Sequence, residues 1–271
     1  MYKEFFGLKE KPFNVTSDPS FLFLSRAHKE AFSHLIYGIK ERKGFLEITG
    51  EIGAGKTTLC RALLASLDKN TKSAFVFNST LPELQLLRCI LEDYGIYVEN
   101  NNKVSLLRQL NGFLIDELSK GNNVILIIDE AQNLKTSVLE EIRMLSNLET
   151  DKEKLFQIIL VGQPDLNNKI NSPRLTQLKQ RIAVRFHITP LEKDEVGQYI
   201  NHRLSIAGSD GQIQFPEDSV ERIFGFSGGI PRLINMVCDK ALLCAYSMET
   251  RQVSLPIVDR SIQELEGVIK R

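Results

Sequence analysis

The amino-acid sequence predicts a three-layer α/β domain built on a parallel sheet, followed by a small all-helical domain. Three observations carry this expectation. Between residues 44 and 188, short apolar runs rich in branched and aromatic residues alternate with amphipathic segments of helical period. After Pro190 the apolar runs stop and four helical segments follow one another. Between the first apolar run and the helix behind it lies "GEIGAGKTTLC", Gly50 to Cys60, a glycine-rich turn between strand and helix.

Taken in order, "SRAHKEAFSHLIYGIKER" reads as a helix, with Ser25 as its N-cap and Ala31, Phe32, Leu35, Ile36 and Ile39 on one apolar face. The strands follow as "GFLEIT", "SAFVFN", "NVILIID", "LFQIILVG" and "AVRFHI". Continuous apolar strands of this kind suit a parallel sheet covered on both faces. The segments "PELQLLRCILEDYG" and "TSVLEEIRMLSNLE" between them supply crossover helices, which are right-handed in such folds. Beyond Pro190, "LEKDEVGQYINHRLSIAG", "PEDSVERIFGFSGG", "PRLINMVCDKALLCAYSME" and "PIVDRSIQELEGVIK" read as helices, three starting near proline and two ending at glycine. The boundaries read from this are 1–189 for the α/β domain, including an N-terminal segment and helix over 1–43, and 190–271 for the helical domain.

The whole-chain numbers narrow the function classes. The 271 residues are 42% hydrophobic and 25% charged, ordinary for a globular chain, and Lys plus Arg equals Asp plus Glu at 34 each. No global basic surplus marks a nucleic-acid binder, although a neutral sum leaves room for a local patch. The N-terminus "MYKEFFGLKEKPF" lacks the apolar core of a signal peptide, and no window approaches the roughly 18 apolar residues of a membrane span. The expectation is a soluble cytoplasmic segment. Cys60, Cys89, Cys238 and Cys244 form no C-x-x-C pair and read as small apolar-context thiols. His28, His34, His187 and His202 make no metal-binding pattern and read as surface or packing residues.

The chemistry sits in two motifs. Gly50, Glu51, Ile52, Gly53, Ala54, Gly55, Lys56, Thr57 and Thr58 form a G-x-x-x-x-G-K-T-T loop, the Walker A pattern. Its glycines let successive N–H groups turn inward around a polyphosphate, and the following helix adds the positive end of its dipole. Lys56 is placed to reach the β- and γ-phosphates of ATP, and the Thr57 hydroxyl to ligate Mg²⁺. The second motif, "VILIIDEAQ", puts Asp129 at the carboxyl end of a strand, where open α/β sheets bind ligands. Asp129 suits Mg²⁺ through its water shell, and Glu130 suits the polarisation of a water for in-line attack.

These motifs, with the strand "IILVGQPDL", the basic "LKQRIAVRFHITPL" and a helical lid carrying "GGIPRLIN", resemble an AAA+ P-loop ATPase. The N-terminal "FFGLKEKPFNVTSDPSFLFLSRAHKEAFSHLIYGI" and the mid-chain "EIRMLSNLETD" resemble more specifically the general secretion pathway protein A family, the ExeA-like ATPases. The resemblance implies further roles. Gln163 stands at the sensor 1 position, which helps place the attacking water, or is a plain strand-end turn before Pro164. Asn78 either holds Glu130 off the nucleotide until a partner binds or simply forms a turn. Arg181 resembles the finger that enters a neighbouring subunit's site, with Arg185 as the weaker candidate. Arg232, in "GIPR", resembles sensor 2, which reaches the γ-phosphate from the same chain. The aromatics from Phe6 to Phe13 either line the adenine pocket or are ordinary core.

The resemblance further implies an oligomer that works with an inner-membrane secretion partner in assembling the envelope secretion machinery. In full-length relatives a membrane span and a peptidoglycan-binding domain follow, so a chain ending at Arg271 is expected to be a piece of such a protein or a short family member. It would lie on the cytoplasmic face of the inner membrane and meet peptidoglycan only through another domain. The rival reading is a DNA-binding AAA+ regulator of the transposition or initiator type, which shares the core and can share the N-terminal pattern. A third is a nucleotide-binding interaction module with negligible turnover, against which the intact Lys56, Asp129 and Glu130 set argues.

Overall fold

The computed structural model describes residues 2–77, 80–99, 102–148 and 154–269. Its strands are β1 (Phe45–Gly50), β2 (Thr71–Val76), β3 (Asn123–Ile128), β4 (Gln157–Gly162) and β5 (Ile182–Ile188). Its helices begin with α1 (Tyr2–Phe5), α2 (Arg26–Lys40), α3 (Lys56–Ser66), α4 (Glu83–Asp93), α5 (Lys103–Ser119) and α6 (Thr136–Leu145). They continue with α7 (Pro164–Ile170), α8 (Thr176–Arg181), α9 (Lys193–Ile206), α10 (Glu217–Ser227), α11 (Pro231–Ser247) and α12 (Leu255–Ile269).

Contacts group the residues into two compact units. One, the sheet unit, is Lys29–Gly50 with Cys60–Ile188; the other, the helical unit, is Met1–His28, Glu51–Leu59 and Thr189–Arg271. The grouping is finer than a single boundary near residue 190. The N-terminal aromatics and the glycine loop both belong with the late helices.

In the sheet unit the strands run parallel in the order β2-β3-β4-β1-β5. Burial explains the order. β1 and β4 are buried at every position and β3 at all but its first, whereas the edge strands β2 and β5 mix a few buried positions with half-buried and exposed ones. "TKSAFV" therefore starts two residues before the predicted apolar run, because an edge strand needs only one apolar face. Leu91, Leu110, Leu126, Leu139 and Ile158 are among the side chains that fill the core against these strands.

The helical unit is built around Phe6, Phe13 and Phe21, which pack with Leu191, Ile200, Val237, Cys238 and Val258. Phe6 and Phe13 are thus core residues. Arg203 of α9 fixes the N-terminal segment: Nε donates to Pro12 O at 2.5 Å and Nη2 to Asn14 O at 3.0 Å. Its guanidinium also lies 4.6 Å from the Phe21 ring centroid, so a buried charge is held by carbonyl dipoles and an aromatic face. Ser25 does cap α2, its Oγ accepting from the His28 N–H at 3.3 Å. The four cysteines are free, Cys60 and Cys238 being buried.

Candidate active site

The glycine loop leaves β1 after Gly50 and folds as part of the helical unit. Gly53 and Gly55 have φ of +81° and +93°, conformations that side chains rarely adopt. The Ala54 N–H donates to Glu51 O at 3.1 Å, closing the turn, while Ala54 itself is fully buried. Lys56 opens α3, is only 5% exposed, and its Nζ donates to Glu51 O at 2.9 Å. Thr57 and Thr58 are half-buried in the first turn, and Glu51 and Ile52 project outward. The loop thus presents backbone and a buried cation at a helix N-terminus, a donor set matched to a polyphosphate.

Two neighbours within the same unit hold the loop. A Cβ on Gly53 would lie 2.5 Å from Arg232 Cβ, and one on Gly55 would lie 3.0 Å from His28 Nε2. Arg232 arrives there because Gly228 and Gly229 turn with φ of +56° and +78°, after which Pro231 starts α11. Gly229 has no alternative, since a Cβ would sit 2.0 Å from Leu191 O. His28, expected from the sequence to be a surface or packing residue, is buried beside the loop and bonded to it. Its Nε2 donates to Ala54 O at 2.8 Å, which leaves Nδ1 to accept from Ser25 Oγ at 2.7 Å. Burial pushes its pKa down, outweighing the Ala54 carbonyl. The start of α2 is itself pinned to α9, with Arg26 N–H donating to Glu195 Oε1 at 2.8 Å.

The sheet unit carries the acidic motif. Asp129, one residue past β3, is 2% exposed, and its N–H donates to Val76 O at 3.0 Å. Glu130 follows in the left-handed region, φ +52° and ψ +35°, with its N–H donating to Asp129 Oδ1 at 2.9 Å. Two amides reach its carboxylate: Gln132 Nε2 donates to Oε2 at 2.6 Å and Gln163 Nε2 at 3.3 Å. Gln163 is thereby brought to Glu130, as a residue just past β4. Asn78 lies outside the described residues.

Arg181 ends α8. Its Nη1 donates to Ser146 Oγ at 2.7 Å, at the C-terminal end of α6. Arg185, in β5, sits with its Nε 3.2 Å from Oε2 of Glu47, its register partner on β1. Burial raises the Glu47 pKa and Arg185 opposes that rise, so Arg185 balances a buried carboxylate.

Among the described residues no group of three or more His, Cys, Asp or Glu could hold a metal by itself. The Asp129 carboxylate in the sheet unit and the Thr57 hydroxyl in the helical unit are each oxygen donors of the kind Mg²⁺ takes, which uses few protein oxygens and completes its shell with phosphates and water. No helix among the described residues is long and apolar enough to cross a membrane.

Residues 39–170 match the family described as AAA domain. The chain is 39% identical over 269 residues to general secretion pathway protein A of Aeromonas hydrophila, covering 99% of this chain and 49% of that protein. It is an AAA+ P-loop protein related to general secretion pathway protein A. It is also 29% identical over 183 residues to an uncharacterized HTH-type transcriptional regulator of Methanocaldococcus jannaschii, covering 65% of this chain and 43% of that one. The chain therefore spans about half the length of the curated relatives it matches. Among solved structures, the Aeropyrum pernix ORC2 protein in its ADPNP-ADP complexes is similar with a TM-score of 0.72 and 18% identity, over 94% of this chain and 72% of that one. That likeness shows an AAA+ fold: a parallel five-stranded sheet and a C-terminal helical region.

Proposed function

We propose that this AAA+ chain is the Mg²⁺-dependent, ATP-hydrolysing module of a protein that drives assembly of a type II secretion (general secretion pathway) complex in the bacterial envelope. The observation that supports it is the 39% identity to general secretion pathway protein A over 99% of the chain. In this reading Mg²⁺ supplies charge neutralisation on the transferring phosphoryl group, held through Thr57 and Asp129. Lys56 contributes a point charge to the β- and γ-phosphates. Glu130 is the general base that takes a proton from water at its carboxylate, and Gln163 helps orient that water. Arg232 acts from the same chain, and Arg181 is the finger lent to a neighbour in a nucleotide-dependent oligomer. The module works on the cytoplasmic face of the inner membrane with a membrane-embedded secretion partner, and peptidoglycan enters only through a domain outside these residues.

The HTH-type relative favours a second reading, a DNA-binding AAA+ regulator. One set of measurements separates the two. Lys56→Ala is expected to abolish productive nucleotide binding, and Glu130→Gln to bind ATP but turn over at least about a hundredfold more slowly. Wild-type turnover by Glu130→Gln refutes the assignment of the base. Duplex DNA is then titrated with a non-hydrolysable ATP analogue at two salt concentrations. Binding that weakens steeply with salt, with DNA-stimulated hydrolysis, would replace the secretion reading by the regulator.

A further inference from the structure

Gln132 has no role in the motifs, although it closes the run "DEAQ". In the structure its side chain is oriented at both ends. The Gln163 backbone N–H lies 3.1 Å from Gln132 Oε1. A backbone N–H only donates, so the amide oxygen must face it. The amide nitrogen is left to point at Glu130, where it donates to Oε2 at 2.6 Å. Gln163 Nε2 meets that same Oε2 at 3.3 Å, and the three hydrogen bonds close a ring of Glu130, Gln132 and Gln163.

The surroundings are shaped to keep this amide in place. Lys169 of α7 donates to the Gln132 carbonyl and, at 2.8 Å, to that of Leu134, tying down the short 3-10 turn that carries Gln132. Gly162 ends β4 beside it, and a Cβ there would lie 2.7 Å from Gln132 Oε1. The glycine leaves the space that the amide fills. Glu130 needs such restraint, because its backbone sits in the left-handed region and its side chain has several rotatable bonds.

We infer that Gln132 is a positioning residue for Glu130, fixing the carboxylate to the end of β4 so that the base and Gln163 hold one geometry. The inference rests on the reading of Glu130 as the base of an ATP hydrolysis. Gln132 acts through Glu130 and lies outside the phosphate loop, so its loss falls on the chemical step and spares binding.

Two variants test this. Gln132→Glu retains an oxygen for the Gln163 N–H but sets a like charge against Glu130, and Gln132→Leu removes both ends of the link. In each, kcat for ATP is expected to fall by about ten- to a hundredfold, with Kd for a fluorescent ATP analogue within about twofold of wild type. A second readout is independent of turnover. The Gln132 side-chain amide protons, assigned by their loss in Gln132→Leu, should move upfield in the NMR spectrum of Glu130→Gln, as a charge-assisted hydrogen bond becomes a neutral one. Wild-type kcat in both Gln132 variants, or a Gln132 amide unmoved by Glu130→Gln, would overturn the inference. Failure of the wild-type protein to hydrolyse ATP would instead sink the hydrolysis reading, and the amide shift alone would then decide whether Gln132 holds Glu130.

Discussion

The backbone N–H of Arg232 lies 3.2 Å from the carbonyl oxygen of Gly53, which stitches the first turn of α11 to the glycine loop. The two residues also meet side on, at the space a Cβ on Gly53 would need. Gly53→Ala therefore combines a left-handed backbone with a clash that α11 must yield to. Nucleotide affinity measured by calorimetry is expected to drop at least about tenfold, with the far-UV circular dichroism of the folded protein retained. Binding equal to wild type would mean that the loop has more slack than this contact allows.

Buried His28, in contact with Ala54, is expected to make stability depend on pH. Its folded pKa lies below the ordinary 6.5, so the folded protein takes up the proton less readily than the unfolded chain. Its contribution to stability is complete above about pH 6.5 and is lost as pH falls through that value toward the folded one. Denaturant titrations between pH 5 and 8 should show wild type losing stability on acidification more steeply than His28→Gln. Parallel curves for the two proteins would refute the assignment.

Glu47 and Arg185 predict the opposite pH sign. The Glu47 carboxyl is held above its ordinary value of 4.5, so the stability attached to it is present below that pH and is lost as pH rises through the folded value. Arg185 offsets part of this loss, and neither Glu47 oxygen has a hydrogen-bond partner among the described residues. Arg185→Ala should cost little at pH 4 and about 2–3 kcal/mol at pH 8, a buried-pair figure reduced because the guanidinium is partly solvated. Glu47→Gln in the same background should remove the pH dependence. An Arg185→Ala cost that is the same at both pH values rules this out.

Arg181 is expected to act in trans. Arg181→Ala should hydrolyse ATP about as slowly as Glu130→Gln when each is assayed alone. Mixed in equal amounts in ATP, the two should recover part of the wild-type rate, since an intact Glu130 can then meet an intact Arg181. Mixed oligomers that form, by cross-linking, yet show no recovery would exclude the finger. Because Arg181 also bonds Ser146 in its own chain, the melting temperature of Arg181→Ala should be measured alongside.

How much of this was legible in the sequence follows from how local each feature is. The glycine loop and "LIIDEAQ" could be read directly, since a strand, a turn and a helix start are encoded within a dozen residues. The five strands and four late helices were equally plain from period and from proline and glycine positions. Gln132 and His28 were not, because each owes its role to a partner far along the chain: Gln163 for one, Ala54 for the other. The left-handed backbone of Glu130 left no sign either, as nothing about a glutamate announces a positive φ. Within "QRIAVRF" the family resemblance alone ranks Arg181 above Arg185, and nothing in that run shows that the register of β5 on β1 sets Arg185 beside Glu47.

The anchoring of Pro12 by Arg203 spans 191 residues of sequence, and this sets a timetable for synthesis. Phe6, Phe13 and Phe21 leave the ribosome well before the late helices that bury them. At about 5–20 residues per second the aromatics wait on the order of 10–40 s for their partners. Over that interval the nascent chain carries an aromatic segment that the residues already made do not cover, and a chain released before α9 is expected to be prone to aggregation.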